Sequence, residues 1–353
     1  MRKFLLKLHL YMALLSCVFV IILGLTGSIM AFEPEIDHLI HPKLFNVTPG
    51  THPLSLVEIS AAINKALPGE AITAFTLSTS ADVAYQASIT GRSVFVNPYT
   101  GEILGIRAIG SDFLTFVHQL HLRLAWQRPS DPGKQIMSWA GVLVLFMLIS
   151  GIHLWWPLKR VTIQPGAKGW RWWFDFHNVT GIVSLAFVLM LTITGICIGF
   201  DNVIVPMFYK ATGSQPSGQP KTPPPPSDAK AITPDQAMNI ARQTLPGATP
   251  FSINVPGAKG SYQVRSRYPE DRTPGGRSRV IIDQYTGAVL FSEGSRTAPA
   301  GTRMVIANRA IHTGDIFGLP SKTVMAIASF ALVLQVISGL MIWLKRTKRS
   351  GRG

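Results

Sequence analysis

Met137–Arg160 reads MSWAGVLVLFMLISGIHLWWPLKR, and Met325–Arg346 reads MAIASFALVLQVISGLMIWLKR. Laid together, the two stretches keep the same landmarks. Met137 stands 13 residues before Ser150, and Met325 stands 13 before Ser338. Gly151 precedes Trp155 by four, Gly339 precedes Trp343 by four, and both stretches end in Lys-Arg. The overlapping windows Ile136–Leu158 and Thr323–Leu344 hold no Asp, Glu, Lys or Arg. Runs of this kind can cross a hydrocarbon core about 30 Å thick, which takes roughly 20 helical residues. Two further windows, Leu8–Phe32 and Phe176–Phe200, are also free of charge, and they match each other too. His9 leads Gly27 of "LTGSIMAFE" by 18 residues, and His177 leads Gly195 of "ITGICIGFD" by 18.

The segments between the spans repeat in the same order. The first carries "AAINKALPGEAI" and then "VFVNPYTGEILG"; the second carries "MNIARQTLPGAT" and then "VIIDQYTGAVLF". Each reads as an amphipathic helix ending at Leu-Pro-Gly, followed by alternating strands whose last two join at a Tyr-Thr-Gly turn. The sequence therefore predicts an α-helical membrane protein with four transmembrane helices, a tandem repeat of helix–α+β domain–helix. The expected division is helix one at 1–32, an outer domain at 33–135, helix two at 136–158 and a cytoplasmic loop at 159–175. Helix three follows at 176–200, a second outer domain at 201–322 with a Pro-rich linker at 215–227, helix four at 323–344 and a tail at 345–353. A repeat that starts and ends on one side of the bilayer implies a pseudo-two-fold axis along the membrane normal.

Lys and Arg give the orientation. Arg2, Lys3 and Lys7 precede the first span, Lys159, Arg160, Lys168 and Arg171 fill the central loop, and Lys345, Arg346, Lys348, Arg349 and Arg352 follow the last. The positive-inside rule places all three segments in the cytoplasm and both α+β domains outside. Trp155, Trp156, Trp170, Trp172 and Trp173 flank the loop as an interfacial belt would. Topology thus accounts for the net charge of +15, and nucleic-acid binding is not expected. Only 14% of residues are charged, against about 25% in a typical soluble domain. Leu14-Leu15-Ser16-Cys17 resembles a lipoprotein cleavage box, but the apolar run continues to Phe32, so an uncleaved span is expected. Cys17 and Cys197, the only cysteines, fall in spans at different depths, which argues against a disulfide. No C-x-x-C-H is present for covalent haem attachment, and no dinucleotide or phosphate-binding glycine motif appears.

The repeat sorts the nine histidines. His9 pairs with His177 at the cytoplasmic starts of their spans. His121 pairs with His312 in short apolar segments before the outer ends of theirs. Equivalent residues can face each other across a pseudo-two-fold axis, and two facing imidazoles suit a haem iron held in a helix bundle. Two pairs at two depths give two b-type haems, an inner one at His9 and His177 and an outer one at His121 and His312. His153 on the inner side and His118 on the outer side are second choices, while His38, His41 and His52 have no repeat partner. Arg123, Arg303 and Arg309 near the outer pair, and Lys7 and Arg171 near the inner pair, are candidates for haem propionates or for plain surface solvation. Gly24, Gly27, Ser28, Gly181, Ser184 and Gly195 admit close approach of a flat macrocycle or of another helix.

These stretches resemble the PepSY-associated transmembrane helix family. The likeness rests on "HLYMALL…LTG" at His9–Gly27, "LHLRL" at Leu120–Leu124, "SGIHLWWP" at Ser150–Pro157 and "FHNVTG" at Phe176–Gly181. "IHTGDIFGLP" at Ile311–Pro320, "ISGLMIWLKR" at Ile337–Arg346 and the two "YTG" segments complete it. The resemblance implies that the outer domains are periplasmic and PepSY-like, and that the membrane is the bacterial inner (cytoplasmic) membrane. Some members of the family bind haem b and reduce ferric siderophores, so a ferric-siderophore (ferric-chelate) reductase is the expected activity. It would take electrons from a membrane quinol or a cytoplasmic reductase. Arg265, Arg267, Arg277 and Arg279 suit an anionic Fe(III) chelate, or form a solvated strand face. The alternatives are a haem-free PepSY regulator that binds a peptide or protease, and a non-redox subunit of a siderophore uptake system.

Overall fold

The computed structural model describes residues 1–126, 132–218, 220, 222–223, 230–257 and 260–350, the side chains of 348–350 excepted. The linker expected at 215–227 and the tail at 345–353 fall partly outside the described residues. In chain order the first elements are α1 (Arg2–Met30), α2 (Glu33–Ile40), α3 (Pro42–Phe45) and α4 (Leu56–Ala66). Strands β1 (Ala74–Thr76), β2 (Tyr85–Ile89), β3 (Arg92–Val96) and β4 (Ile103–Ala108) follow, then α5 (Phe113–Arg123), α6 (Pro132–Trp155) and α7 (Trp170–Gly199). After α8 (Asp201–Thr212) and α9 (Pro234–Thr244) come β5 (Thr249–Asn254), β6 (Ser261–Arg267), β7 (Ser278–Asp283) and β8 (Val289–Glu293). The chain closes with α10 (Ala300–Thr313), a 3-10 turn at Asp315–Phe317 and α11 (Leu319–Ser350).

The described parts of Met1–Glu33 and Phe113–Met207, with the chain from Ala307 onward, form one compact unit. Among the described residues four helices, α1, α6, α7 and α11, are long and apolar enough to cross a membrane. They run past the charge-free windows where the backbone allows. Helix α1 begins at Arg2, and α7 begins at Trp170 because Gly169 turns the chain at φ +63. Helix α6 stops at Trp155, short of the expected Leu158, since the backbone ahead of Pro157 is biased away from helix. Helix α1 packs on α6 and α11, and α7 packs on the same two, so α1 and α7 lie on opposite corners. Small residues set the close contacts. A Cβ on Gly24 would lie 2.9 Å from the Ser329 carbonyl oxygen of α11, and Ser28 Oγ lies 3.0 Å from the Ala326 carbonyl oxygen. Helix α5 packs on α1 and α6. The chain leaves it through Leu124 and Ala125 in left-handed conformation, and Gly133 then meets the Arg123 carbonyl too closely for any side chain.

The second unit comprises Pro34–Asp112 and the described part of Phe208–Ile306. The sequence predicts two separate α+β domains, but the strands form one antiparallel sheet of order β4-β3-β2-β1-β5-β6-β7-β8. The seam pairs Ala74 with Asn254, Phe75 with Ile253 and Thr76 with Ser252. The physical reason is the edge. A three-residue strand such as β1 would present unpaired N–H and C=O groups, and the matching edge of β5 satisfies them. The cores merge as well. Ile59 and Ile63 of α4, Ala237 and Ala241 of α9, Val94 of β3, Ile253 of β5 and Val280 of β7 are all fully buried in a single cluster.

Local chemistry starts each covering helix. Ser55 and Glu58 form a reciprocal capping box on α4, and Thr233 and Gln236 form one on α9, where Pro234 fills the first turn. Asp235 of α9 also accepts hydrogen bonds from the Leu56 and Val57 amides of α4 at 2.8 and 3.1 Å, which ties the two helices together. The Tyr-Thr-Gly turns use side-chain oxygens. Asn97 Oδ1 accepts from the Tyr99 amide at 2.9 Å, and Asp283 Oδ1 accepts from the Tyr285 and Thr286 amides at 3.0 and 2.7 Å. The chain from Phe113 and that around Pro320, expected in the outer domains, group instead with the membrane helices.

Candidate functional site: paired histidines in the helix bundle

Four histidines point into the helical unit, and each is seated in the same way. His9 on α1 has Nδ1 2.7 Å from Ser150 Oγ on α6. His177 on α7 has Nδ1 2.9 Å from Ser338 Oγ on α11. His121 on α5 has Nδ1 2.8 Å from Thr26 Oγ1 on α1, and His312 on α10 has Nδ1 3.0 Å from Thr194 Oγ1 on α7. In every case the hydroxyl residue is followed by a glycine lying against the Cε1 edge of the same ring. A Cβ would stand 3.0 Å from Cε1 at Gly195, 3.4 Å at Gly27, 3.6 Å at Gly339 and 3.7 Å at Gly151. At Gly195 the absent Cβ makes room for the imidazole, at the other three a Cβ would only reach ordinary contact with the ring, and the hydroxyl orients the ring in all four.

The two outer rings come together. His121 and His312 have centroids 6.5 Å apart with planes inclined at 54°. His9 and His177 sit on α1 and α7, which both pack on α6 and α11. All four residues are half-buried or more. Among the described residues no three His, Cys, Asp or Glu side chains converge on one point. Two imidazoles could hold a group that brings its remaining ligands with it.

The other candidates lie elsewhere. His118 Nδ1 is 3.0 Å from Glu33 Oε2, and His153 is exposed on α6 beside Ile149 and Trp156. His38 stacks on Phe45, and His41 binds Asp37 at 2.8 Å in the sheet unit. Burial of Asp37 works to raise its carboxyl, but hydrogen bonds from Arg107, at 2.7 and 2.9 Å, and from His41 outweigh it and hold the carboxyl below the usual range. Lys7, Arg303 and Arg309 are exposed. Arg171 lies 3.4 Å from the fully buried Asp175, which Arg160 approaches at 3.2 Å. Arg123 ends α5, two residues beyond His121.

Sequence reasoning missed Thr26, Ser150, Thr194 and Ser338. Their signal is present as Leu-Thr-Gly or Ile-Ser/Thr-Gly, once in each span: Leu25–Gly27, Ile149–Gly151, Ile193–Gly195 and Ile337–Gly339. Taken together, the helices and the eight-stranded sheet define a multi-pass membrane protein with paired imidazoles inside its bundle. The chain belongs to the family of the PepSY-associated TM region, whose model matches residues 6–346. No curated protein matches the chain.

Proposed function

We propose that this protein is an inner-membrane oxidoreductase that holds two b-type haems and reduces ferric siderophore in the periplasm. The inner group belongs to His9 and His177, the outer to His121 and His312. One observation carries the reading. A haem held by this bundle would take two neutral imidazoles brought together from the two halves of the repeat. The His121 and His312 centroids are 6.5 Å apart. Bound there, haem iron supplies one-electron exchange, which ferric-chelate reduction needs.

The matching seats of His9 and His177, and of His121 and His312, support a tandem duplication in which each half gives one ligand to each site. The basic flanks support an arrangement with both termini and the central loop cytoplasmic and the sheet unit periplasmic. A membrane quinol or a cytoplasmic reductase would then be the donor. The sheet offers cations to an anionic chelate. Arg265 and Arg279 are register partners on β6 and β7, stacked over Phe251 and Phe291 at 5.7 and 4.8 Å.

The test is the reduced-minus-oxidised visible spectrum of purified protein. A b-type signal with about two haems per chain is expected. His9→Ala or His177→Ala should remove one haem, His121→Ala or His312→Ala the other, and His153→Ala neither. Pre-reduced protein should be reoxidised by ferric siderophore with Fe(II) released to a chelator, and His312→Ala should block that release. Protein without haem in any preparation would overturn the reading and direct attention to peptide or protease binding.

A further inference from the structure

We infer that Thr26, Ser150, Thr194 and Ser338 are positioning residues that lock the four histidines in the Nδ1–H form, leaving Nε2 as the open ligand nitrogen. The consequence for affinity rests on the haem reading above, while the tautomer is argued from the hydroxyls' own hydrogen-bond partners. A Ser or Thr hydroxyl has one hydrogen to donate and two lone pairs to accept with. Each of the four already has a helical carbonyl for that hydrogen, four residues back. Thr26 Oγ1 donates to Ile22 O at 2.5 Å, Ser150 Oγ to Phe146 O at 2.8 Å, Thr194 Oγ1 to Met190 O at 2.7 Å and Ser338 Oγ to Leu334 O at 2.7 Å. Ser150, Thr194 and Ser338 have a second carbonyl three residues back at 3.2, 3.1 and 3.1 Å.

With the hydroxyl hydrogen committed to the backbone, the contact to the imidazole needs a hydrogen on Nδ1. A neutral ring has only one, so Nε2 is bare. Metal-bound histidines commonly donate their other ring N–H to an oxygen in this way, which fixes both tautomer and ring plane. What is particular to this chain is the source of the oxygen. It is a side chain on a different helix from the histidine in all four cases. The α1–α6, α7–α11, α5–α1 and α10–α7 contacts therefore each aim one ligand.

The experiment begins with haem-free protein in bilayers, selectively ¹⁵N-labelled at histidine and studied by solid-state NMR. His312 is assigned by difference with His312→Ala. It should show a protonated Nδ1 and a bare Nε2. Thr194→Val keeps the side-chain shape without the hydroxyl, so His312 should lose that preference, and Thr194→Ser should restore it. Titrating hemin into the same proteins should show outer-site affinity about 10- to 100-fold weaker in Thr194→Val and recovered in Thr194→Ser. A protonated Nε2 in the unsubstituted protein would overturn the inference. So would a His312 tautomer and a hemin affinity that both ignore Thr194→Val while the protein stays folded. If hemin fails to bind the unsubstituted protein, the haem reading falls, and the NMR result still decides the tautomer.

Discussion

Replacing Gly195 by alanine sets helix propensity against the geometry of the outer histidine. On an open helix face, glycine to alanine gains up to about 1 kcal/mol. Here the new Cβ would stand 3.0 Å from His312 Cε1, and non-bonded carbons settle at about 3.5–4.0 Å. The ring must retreat by about 0.5 Å. Its Nδ1 is already 3.0 Å from Thr194 Oγ1, so the same movement carries that contact to the outer limit of a hydrogen bond. The loss is about 1 kcal/mol, or roughly fivefold in hemin affinity at the outer site. The matched control is Gly339→Ala, where the Cβ would lie 3.6 Å from His177 Cε1, within ordinary contact. Hemin titrations of the two variants, with thermal melting as a folding check, give the comparison. Gly195→Ala should bind the outer haem more weakly, and Gly339→Ala should leave the inner site unchanged. The reverse order, or equal loss in both, would refute the proposed seat.

The sheet unit offers a test in pH. The Asp37 carboxyl is held low, so its pairing contributes stability above the unfolded value of about 3.9 and loses it as pH falls through the lower folded value. Asp37→Asn should melt below the unsubstituted protein at pH 7, with the gap closing below about pH 4; a gap that persists in acid would show that the charge is not the cause. Asp235→Ala removes the acceptor for two amides of α4 and costs about 1–2 kcal/mol, so hydrogen exchange over residues 56–66 should speed up roughly 5- to 30-fold, and unchanged protection would refute the cap. A reporter fused after Arg352 should register as cytoplasmic and one inserted within Pro223–Pro226 as external; the same side for both would refute the four-span topology.

The sequence by itself determined the parts of this protein that depend on neighbours close along the chain. Four charge-free windows mark four helices because a bilayer-spanning helix is defined by its own composition. Asn97, Gly101, Asp283 and Gly287 mark their turns because a side-chain oxygen two or three residues away, or a positive φ, is a local requirement. The histidine pairs were legible only because the chain matches itself, which turned an ambiguous scatter of nine histidines into two sets of two. Only the tertiary structure decided the rest. Alternation along β1 and β5 says which face is apolar but not which edge finds a partner, so the joining of two expected domains into one sheet could not be read. The same holds for the hydroxyl seats, whose partners lie 95 to 161 residues apart in sequence. Periodicity sets the face of a helix, and which side chain of another helix meets that face is settled only when the helices pack.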